Sequence, residues 1–560
     1  MELPCKESLT VEFKSDLQRK DVSSEKRKRG YPISDLIDEI VGMANTEGGI
    51  LYLGIEDNGK VTGLAPDHKE PIGLAALIAN KTVPSLTIRA EVIIKDEKPV
   101  MMIDIPKSHL IIATSDGKIL RRRMKADGTP ENVPLYPFEI PHRLSNLSQL
   151  DVSAQPVADA VLSDLNPSQL MRIRSIISEH NGDQVLLGLD DEELEKSLHM
   201  ITELDGRLVP TLTGLLLAGQ EESLKRLVPT MHSTFQVLQG TNVVMNEEFV
   251  KPIPETIQLY NEYLKAWNPE QEMEYGLFRV PIPAFSVPAF REGLVNAFVH
   301  RDYTMLGRVR VLIDPEGMTI SNPGGFIDGV TLDNLLTVEP HGRNPCLSDA
   351  LKRMGLAEKT GRGVDRIFEG SITFGRPWPD YSQSTSEMVV LFIARGKADL
   401  SFMRMIMNEQ KRIGHSLGIN ALLILSALKS YRKMTRTELI EITHIPYTRT
   451  GIVLESMIES GLIEEIGRGT FMLSKNLYVQ SGKSKEYVRQ AGIDKIRYSE
   501  MIMKLANTQG KITKEDVIQL LHITPAEAYR QLKALRNQGK IELVYGGRYA
   551  TYKPISKSKV

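Results

Sequence analysis

Cysteine is almost absent from this chain, and so are the signals that direct a protein out of a reducing compartment. The 560 residues include two cysteines, Cys5 and Cys346, too few for a disulfide framework or a thiolate zinc site within one chain. Residues 1–6 contain no apolar core of a signal peptide. No uninterrupted apolar run approaches the roughly 20 residues that a membrane span requires. We therefore predict a cytoplasmic protein that does not enter a membrane.

A net charge of one sign is also lacking, but the charges are unevenly distributed. The whole chain carries −2 at pH 7, which by itself argues against nucleic-acid binding. Residues 483–560, however, contain 16 Lys and Arg against 7 Asp and Glu, a local charge of +9. A basic segment at the end of a mildly acidic chain is typical of a protein that binds phosphate at one end.

The length predicts several domains, roughly three to five, and the patterns predict an α+β multi-domain protein. Residues 1–142 read as a mixed α/β domain and residues 143–165, rich in Ser, Asp and Ala, as a linker. Residues 166–395 read as a second mixed α/β region. Residues 412–476 and 495–554 each show three helices followed by a β-hairpin, which is the layout of a winged helix.

The N-terminal region carries a candidate catalytic site. A helix is predicted over residues 33–41 and a strand over 50–55. Glu12 and Lys14 share one face of an earlier strand, and a carboxylate beside a lysine can hold Mg²⁺ or Mn²⁺ and orient an attacking water. Asp57, at the turn after the strand, would supply a second carboxylate. On spacing alone, a solvated strand face is the favoured interpretation of Glu12 and Lys14.

Several strings in this region closely resemble the Schlafen AlbA-like domain. They are Glu7-Ser8-x-x-Val11-Glu12-Phe13-Lys14, residues 43–49, residues 53–59, Val61-x-Gly63 and a closing strand at residues 116–122. The resemblance covers about 130 residues and implies a fold that binds DNA or RNA. In nuclease members it implies a divalent-metal site that cleaves RNA, and the matching residues are Glu7, Glu12 and Asp57. Many prokaryotic relatives are described as DNA-binding regulators, so cleavage does not follow automatically.

The same resemblance bears on assembly. Nuclease Schlafens form a clamp around the nucleic acid from two AlbA-like halves. This chain has one such half, so two chains would have to supply the groove, and we predict a homodimer.

Two basic clusters flank the candidate catalytic site. The first lies in an apparent loop, where it is either a nucleic-acid contact or a solubilising segment, and comprises Lys26, Arg27, Lys28 and Arg29. The second ends a predicted strand, and alternation places Arg121 and Arg123 on one side and Arg122 on the other. Arg121 and Arg123 are therefore predicted to contact the nucleic-acid backbone.

The central region carries a candidate nucleotide site. Glu292 and Asn296 align on one helical face and resemble the first box of the histidine-kinase and gyrase type of ATPase, in which Asn holds Mg²⁺ and Glu activates water. Gly324, Gly361 and Gly363 could approach the phosphates of ATP. Asn322-Pro323-Gly324-Gly325 stands where those ATPases have an acidic adenine-binding motif, and a phosphate-binding loop with the Gly-Lys-Ser/Thr ending is absent. These departures favour a structural or dimerising domain that has kept the fold and lost its ligand, with nucleotide binding as the alternative.

The last module carries a candidate recognition helix. Thr524-Pro525-Ala526-Glu527 is a capping box, and the helix that follows turns Leu532 and Leu535 inward. The side chains predicted to contact nucleic acid are Tyr529, Arg530, Lys533 and Arg536 on the opposite face, and Arg548 at the tip of the wing. The preceding module has Glu464 and Glu465 beside its wing, and a scaffold role is equally open there.

Three functions follow from these patterns. The leading prediction is a DNA-binding regulatory or genome-defence protein. The first alternative is a metal-dependent nuclease acting through Glu7, Glu12 and Asp57, assisted by Lys14. The second is a switch that binds Mg-ATP through Glu292 and Asn296.

Overall fold

The computed structural model describes residues 4, 6–16, 30–65, 68, 70–275, 278–339, 341–358, 361–466, 469–474, 495–521, 523–545 and 550–555. The chain divides into two compact units, Met1–Leu150 and Asp151–Val560. Among the helices in these ranges, none combines the length and the apolar character needed to cross a membrane.

Unit 1, Met1–Leu150, is built on a four-stranded mixed sheet. Its elements are β1 (Val11–Lys14), α1 (Ile33–Ala44), β2 (Gly49–Leu53), α2 (Pro71–Asn80), β3 (Thr82–Val83), β4 (Arg89–Lys95), β5 (Lys98–Ile105), β6 (Ala113–Thr114), β7 (Leu120–Met124), β8 (Pro130–Pro134) and α3 (Ile140–Asn146). The strand order is β1-β2-β5-β4, in which only β1 and β2 are parallel. The helix predicted over residues 33–41 and the strand predicted over residues 50–55 are confirmed as α1 and β2. Helix α1 buries the apolar positions Leu36, Ile40 and Met43 in the unit's core.

The turn after α1 fixes the position of β7 relative to the helix. The Asn45 carboxamide donates to the carbonyls of Ile112 and Leu120 at 2.7 and 2.9 Å and accepts from the Ile112 amide at 2.8 Å. Gly48 and Gly49 have φ of +65° and +127°, and a Cβ at either position would meet neighbouring backbone. Helix α1 and strand β7 are therefore held side by side.

Unit 2, Asp151–Val560, begins with helices and continues into a five-stranded sheet. Its elements before the C-terminal modules are α4 (Pro167–Glu179), α5 (Asp191–Ser197), β9 (Ile201–Leu204), β10 (Arg207–Pro210), α6 (Leu212–Ala218), α7 (Glu221–Leu227), β11 (Ser233–Gln239), β12 (Asn242–Phe249), α8 (Ile253–Trp267), β13 (Glu270–Tyr275), β14 (Phe278–Pro283), α9 (Val287–Val299), β15 (Val309–Ile313), β16 (Gly317–Pro323), α10 (Pro345–Arg353), α11 (Gly363–Ile372) and β17 (Met388–Ala394). The strand order of the sheet is β12-β11-β15-β16-β17. Helix α9 packs against β16 and α11.

The predicted linker at residues 143–165 is not an extended connection. Residues up to Asn146 belong to α3, and the later part is folded into unit 2. There Asp151 accepts from the Cys346 amide at 2.8 Å and the buried Asp164 accepts from the Ser223 hydroxyl at 2.6 Å. The polar composition that suggested a linker instead supplies caps for turns and backbone amides.

Two C-terminal modules have the predicted order of three helices and a hairpin. After α12 (Leu400–Ile413), the first consists of α13 (Ile419–Tyr431), β18 (Met434–Thr435), α14 (Arg436–Thr443), α15 (Tyr447–Glu459), β19 (Ile463–Glu465) and β20 (Thr470–Leu473). The second consists of α16 (Lys495–Gln509), β21 (Ile512–Thr513), α17 (Lys514–Leu521), α18 (Pro525–Asn537), β22 (Ile541–Tyr545) and β23 (Thr551–Pro554). Each has a three-stranded sheet with its last strand in the centre, β18-β20-β19 and β21-β23-β22. The first module shares its apolar core with α11 and α12, whereas the second has a core of its own.

Candidate nucleic-acid interface

The carboxylate and lysine of β1 belong to a network of buried ion pairs. Strand alternation sends Phe13 into an apolar cluster and leaves Glu12 and Lys14 together on the other face. The Lys14 ammonium contacts Glu12 and lies 3.1 Å from a carboxylate oxygen of Glu39 on α1. The Arg122 guanidinium from β7 contacts the other oxygen of Glu12 and lies 3.7 Å from Glu39. Each carboxylate therefore faces two cations.

Arg122 is the most deeply buried member of this network. Its side chain is 1% exposed, and it also donates to the Ser8 carbonyl at 2.9 and 3.1 Å and to the Val11 carbonyl at 3.1 Å. The predicted alternation of β7 is confirmed, since Arg122 points inward between Arg121 and Arg123. A buried guanidinium with this many acceptors stabilises the entry into β1 as well as the charge on Glu12.

The pKa values of Lys14, Glu39 and the nearby Glu7 are shifted by their surroundings. Burial alone would lower the pKa of Lys14, but the negative charges of Glu39 and Glu12 outweigh it and raise that pKa, so the ammonium form is held. Burial raises the pKa of Glu39 despite the neighbouring Lys14. Burial, followed by the charge of Glu12, also raises the pKa of Glu7.

The residues predicted to hold a metal do not fit a divalent cation in this arrangement. Both oxygens of Glu12 are engaged by Lys14 and Arg122, and an oxygen of Glu7 accepts from the Phe13 amide at 3.1 Å. Asp57 is exposed in the turn after β2. Within the part of the chain that the structure describes, no group of three or more acidic, histidine or cysteine side chains could hold a metal ion. Protein cations stand where the metal was expected.

The predicted basic contacts of unit 1 are partly engaged by acids. Arg121 lies 2.6 Å from Glu139 and Arg123 lies 2.8 Å from Glu131. Arg123 remains half-exposed, whereas Arg121 is more enclosed. The other predicted cluster, Lys26, Arg27, Lys28 and Arg29, lies outside the described residues.

The predicted nucleotide-binding residues of unit 2 come together only in part. Glu292 is buried on α9, hydrogen-bonds to Asn296, and packs against Gly363 at the start of α11. Burial raises the pKa of Glu292, and the Arg366 charge opposes that rise. A carboxyl group of the chain itself thus lies against Gly363, one of the glycines that were predicted to approach the phosphates.

The two remaining glycines of that set have other surroundings. Gly324, with φ of +91°, packs against Asp302 and Arg343, which form a fully buried ion pair at 3.1 Å. Gly361 is exposed and has φ of +74°. The packing of Gly324 and the positive φ of Gly361 each account for a glycine without a nucleotide.

Helix α18 presents the predicted cations to solvent. Its apolar positions Leu532 and Leu535 are fully buried, and the Thr524 hydroxyl accepts from the Glu527 amide at 3.2 Å as the predicted cap. The exposed side chains on the other face are Tyr529, Arg530, Lys533 and Arg536. Over the described residues, neither Lys533 nor Arg536 forms an ion pair. Arg548, predicted at the wing tip, lies outside the described residues.

Arg530 differs from its neighbours because it joins the two C-terminal modules. Its guanidinium lies 3.1 Å from Glu438 of α14 in the first module and 3.1 Å from Glu527. Glu438 also accepts from the Thr524 hydroxyl at 2.7 Å, while its second oxygen accepts from the Thr435 amide and hydroxyl at 2.8 and 2.9 Å. One buried carboxylate thus caps α14 and holds the start of α18.

Comparison with known proteins gives three family matches along the chain. Residues 7–128 match the family model described as "Schlafen, AlbA_2". Unit 1 is similar to the Schlafen AlbA_2 family. Residues 143–234 match a model described as "Domain of unknown function (DUF8451)", and residues 307–392 match one described as "Putative ATP-dependent DNA helicase recG C-terminal". The resemblance read from the sequence is confirmed.

A solved structure extends the likeness over the whole chain. The crystal structure of the DIP2311 protein from Corynebacterium diphtheriae matches with a TM-score of 0.50 and 20% sequence identity, covering 98% of this chain and 95% of that one. At this identity the likeness concerns the fold alone. No curated protein matches the chain.

The AlbA_2-like unit also contains a pair of aromatic side chains that the sequence patterns did not single out. Tyr136 and Phe138 follow β8, and their rings are nearly parallel, with centroids 5.9 Å apart and an interplanar angle of 5°. They are 49% and 78% exposed. The available signal was the alternation of aromatics and prolines in Pro134-Leu135-Tyr136-Pro137-Phe138, which neither helical nor strand periodicity would detect.

Proposed function

We propose that this chain is a DNA-binding regulatory or genome-defence protein in which the second C-terminal module, acting as a winged helix, contacts DNA. The observation that carries the proposal is the exposed face of α18, where Lys533 and Arg536 project opposite the buried Leu532 and Leu535. Cations at helical spacing on a helix of this kind suit the phosphates and base edges of a major groove. The net charge of +9 over residues 483–560 supports the same end of the chain.

Two further observations support nucleic-acid binding. The AlbA_2-like unit is similar to the Schlafen family, and both C-terminal modules have the winged-helix order of helices and strands. In the first module the exposed residues of α15 include the aromatic Tyr447 and the cation Arg449. This module would therefore contact DNA through a less basic helix than α18.

Titration of labelled duplex DNA with the full chain at several salt concentrations tests the proposal. If the protein binds through phosphates, the logarithm of the association constant falls linearly with the logarithm of the salt concentration, with a slope of about −0.9 for each phosphate contact. A duplex affinity that does not change with salt would contradict the proposal, as would the absence of binding at low salt. Single-stranded DNA and RNA of the same sequence show which nucleic acid is preferred.

We also propose that the protein acts as a homodimer, because a groove lined by two AlbA-like halves requires two copies of unit 1. Light scattering after size exclusion at micromolar concentration should give twice the chain mass of 62.7 kDa. A strict monomer under these conditions would remove this part of the proposal.

The nuclease and ATP-switch alternatives receive less support from the contacts. Glu12 is neutralised by Lys14 and Arg122, and Glu292 occupies the start of α11. Incubation of RNA and DNA with the protein and Mg²⁺, Mn²⁺ or EDTA tests cleavage, with Glu12→Ala as the control. Calorimetric titration with ATP tests the switch.

A further inference from the structure

The exposed rings of Tyr136 and Phe138 are held in one arrangement by their surroundings. Pro137 lies between them and restricts the backbone, while buried Leu135 anchors the segment and donates from its amide to the Ile119 carbonyl at 2.8 Å. The Tyr136 amide also donates to Glu139 at 2.9 Å. Because the segment is fixed from both sides, the rings form a preorganised surface rather than a mobile loop.

Cations lie beside this aromatic pair. Glu139, which accepts from the Tyr136 amide, is also the partner of Arg121 on β7, with the two side chains 2.6 Å apart. Arg123 projects from the same face of β7 as Arg121 and is half-exposed. The surface therefore combines π faces with guanidinium groups that can contact phosphate.

An exposed stacked aromatic pair is costly for a domain that has no ligand for it. Phe138 is 78% exposed although it has no polar group, and phenylalanine is among the residue types most often buried. Burying the free ring face against a flat apolar partner would recover hydrophobic and dispersion free energy. Arg121 and Arg123 each have one carboxylate partner, Glu139 and Glu131, but the remaining N–H donors of each guanidinium can contact an anion, which favours a partner with negative charge.

We propose that Tyr136, Phe138 and Arg121 form a stacking site for an unpaired base of single-stranded nucleic acid. This inference rests on the proposed function and adds a second class of substrate at a second place in the chain. A base in a duplex already has both faces covered by its neighbours, so only an unpaired base can stack on Phe138. Arg121, which shares Glu139 with the Tyr136 amide, would then contact an adjoining phosphate.

Binding of single-stranded and duplex oligonucleotides to the full chain tests the site. In Phe138→Ala, affinity for a single strand falls by about 5- to 150-fold, which corresponds to the usual stacking contribution of about 1–3 kcal/mol per base. Phe138→Leu shows most of the same loss, because leucine keeps apolar area but offers no π face. Duplex affinity stays within about twofold of the parent's, since it depends on α18.

A matched control and a spectroscopic signal separate stacking from a general effect. Ile72→Ala, at an 80% exposed apolar position of the same unit, should leave both affinities unchanged. A single strand containing 2-aminopurine should show a fluorescence change on binding to the parent and to Ile72→Ala, and a much smaller one with Phe138→Ala. Circular dichroism checks that each variant is folded.

The outcomes distinguish this inference from the proposed function. If the chain binds duplex DNA but Phe138→Ala binds single strands as tightly as the parent does, the stacking site is wrong and the proposed function stands. If Phe138→Leu binds single strands as tightly as the parent does, the rings act through apolar packing and the inference is overturned. If Phe138→Ala changes the molecular mass measured by light scattering but leaves the affinity for single strands unchanged, the rings form a protein contact and the inference is likewise overturned. If the chain binds no nucleic acid of any kind, both proposals fall.

Discussion

The N-terminal unit and the last C-terminal module use arginine and lysine in opposite ways. In the AlbA_2-like unit, Arg122 and Lys14 are enclosed with Glu12 and Glu39, so the charges neutralise one another inside the chain. On α18, Lys533 and Arg536 project into solvent, and in the described part of the chain no acid pairs with them. The first set is enclosed within the chain, and the second is exposed.

The difference shows that residue type and spacing do not decide between structure and function. Glu12 and Lys14 have the spacing of a nuclease site, but α1 and β7 bring a second acid and a second cation against them. The α18 cations have the spacing of a recognition helix, and nothing of the described protein covers them except at Arg530. What each group faces in three dimensions determines its role.

Replacing the buried arginine should have the largest effect. In Arg122→Met the Glu12 carboxylate stays buried with only Lys14 as a cation, and the Ser8 and Val11 carbonyls lose their donor. We expect the free energy of unfolding of unit 1 to fall by about 3–5 kcal/mol, measured as the opening free energy of α1 amides by hydrogen exchange in the full chain. Arg123→Met, at a half-exposed pair, should cost less than about 1 kcal/mol. Equal effects of the two variants would contradict the network.

The contact between the C-terminal modules should have the next largest effect. Thr524→Ala removes the cap of α18 and the donor to Glu438, so we expect a loss of about 1–2 kcal/mol. Because Glu438 belongs to α14, hydrogen exchange in Arg436–Thr443 should also become faster. Thr513→Ala is the matched control, since its hydroxyl accepts from the Asp516 amide at 3.2 Å within the second module. If both variants leave exchange in α14 unchanged, Glu438 does not couple the modules.

The exposed cations of α18 should affect binding rather than stability. Lys533→Ala and Arg536→Ala should each weaken duplex binding by about fivefold at 0.15 M salt and reduce the salt slope by about 0.9. Arg530→Ala should have a smaller effect on the slope, because that guanidinium already has Glu438 and Glu527 as partners. A larger slope change for Arg530 than for Lys533 would reverse this assignment.

Divalent metal should have the smallest effect, and this prediction concerns unit 1. A metal site with a Kd of about 1 mM would stabilise unit 1 by about 1 kcal/mol in about 5 mM Mg²⁺ or Mn²⁺. Since Arg122 and Lys14 already neutralise Glu12, we expect the opening free energy of α1 to be the same with metal and with EDTA. If metal increases the opening free energy of α1 and this increase disappears in Glu12→Gln, then unit 1 does bind a metal through Glu12.

Sequence patterns predicted the elements well where periodicity or a capping residue marks them. The apolar period of α1, the alternation of β7 around Arg122 and the Thr524 cap of α18 were all readable from neighbouring residues. The linker at residues 143–165 was misread because caps and linkers use the same polar residues.

The sequence by itself determined the order of the elements, the resemblance of the N-terminal part to the AlbA_2 domain and the basic character of the C-terminal end, because these depend on local spacing and composition. Only the tertiary structure decided which charged side chains form ion pairs with one another inside the protein. Arg122 meets Glu12 across 110 positions and Arg530 meets Glu438 across 92. Such pairs depend on how strands and helices pack, and no local pattern encodes that packing.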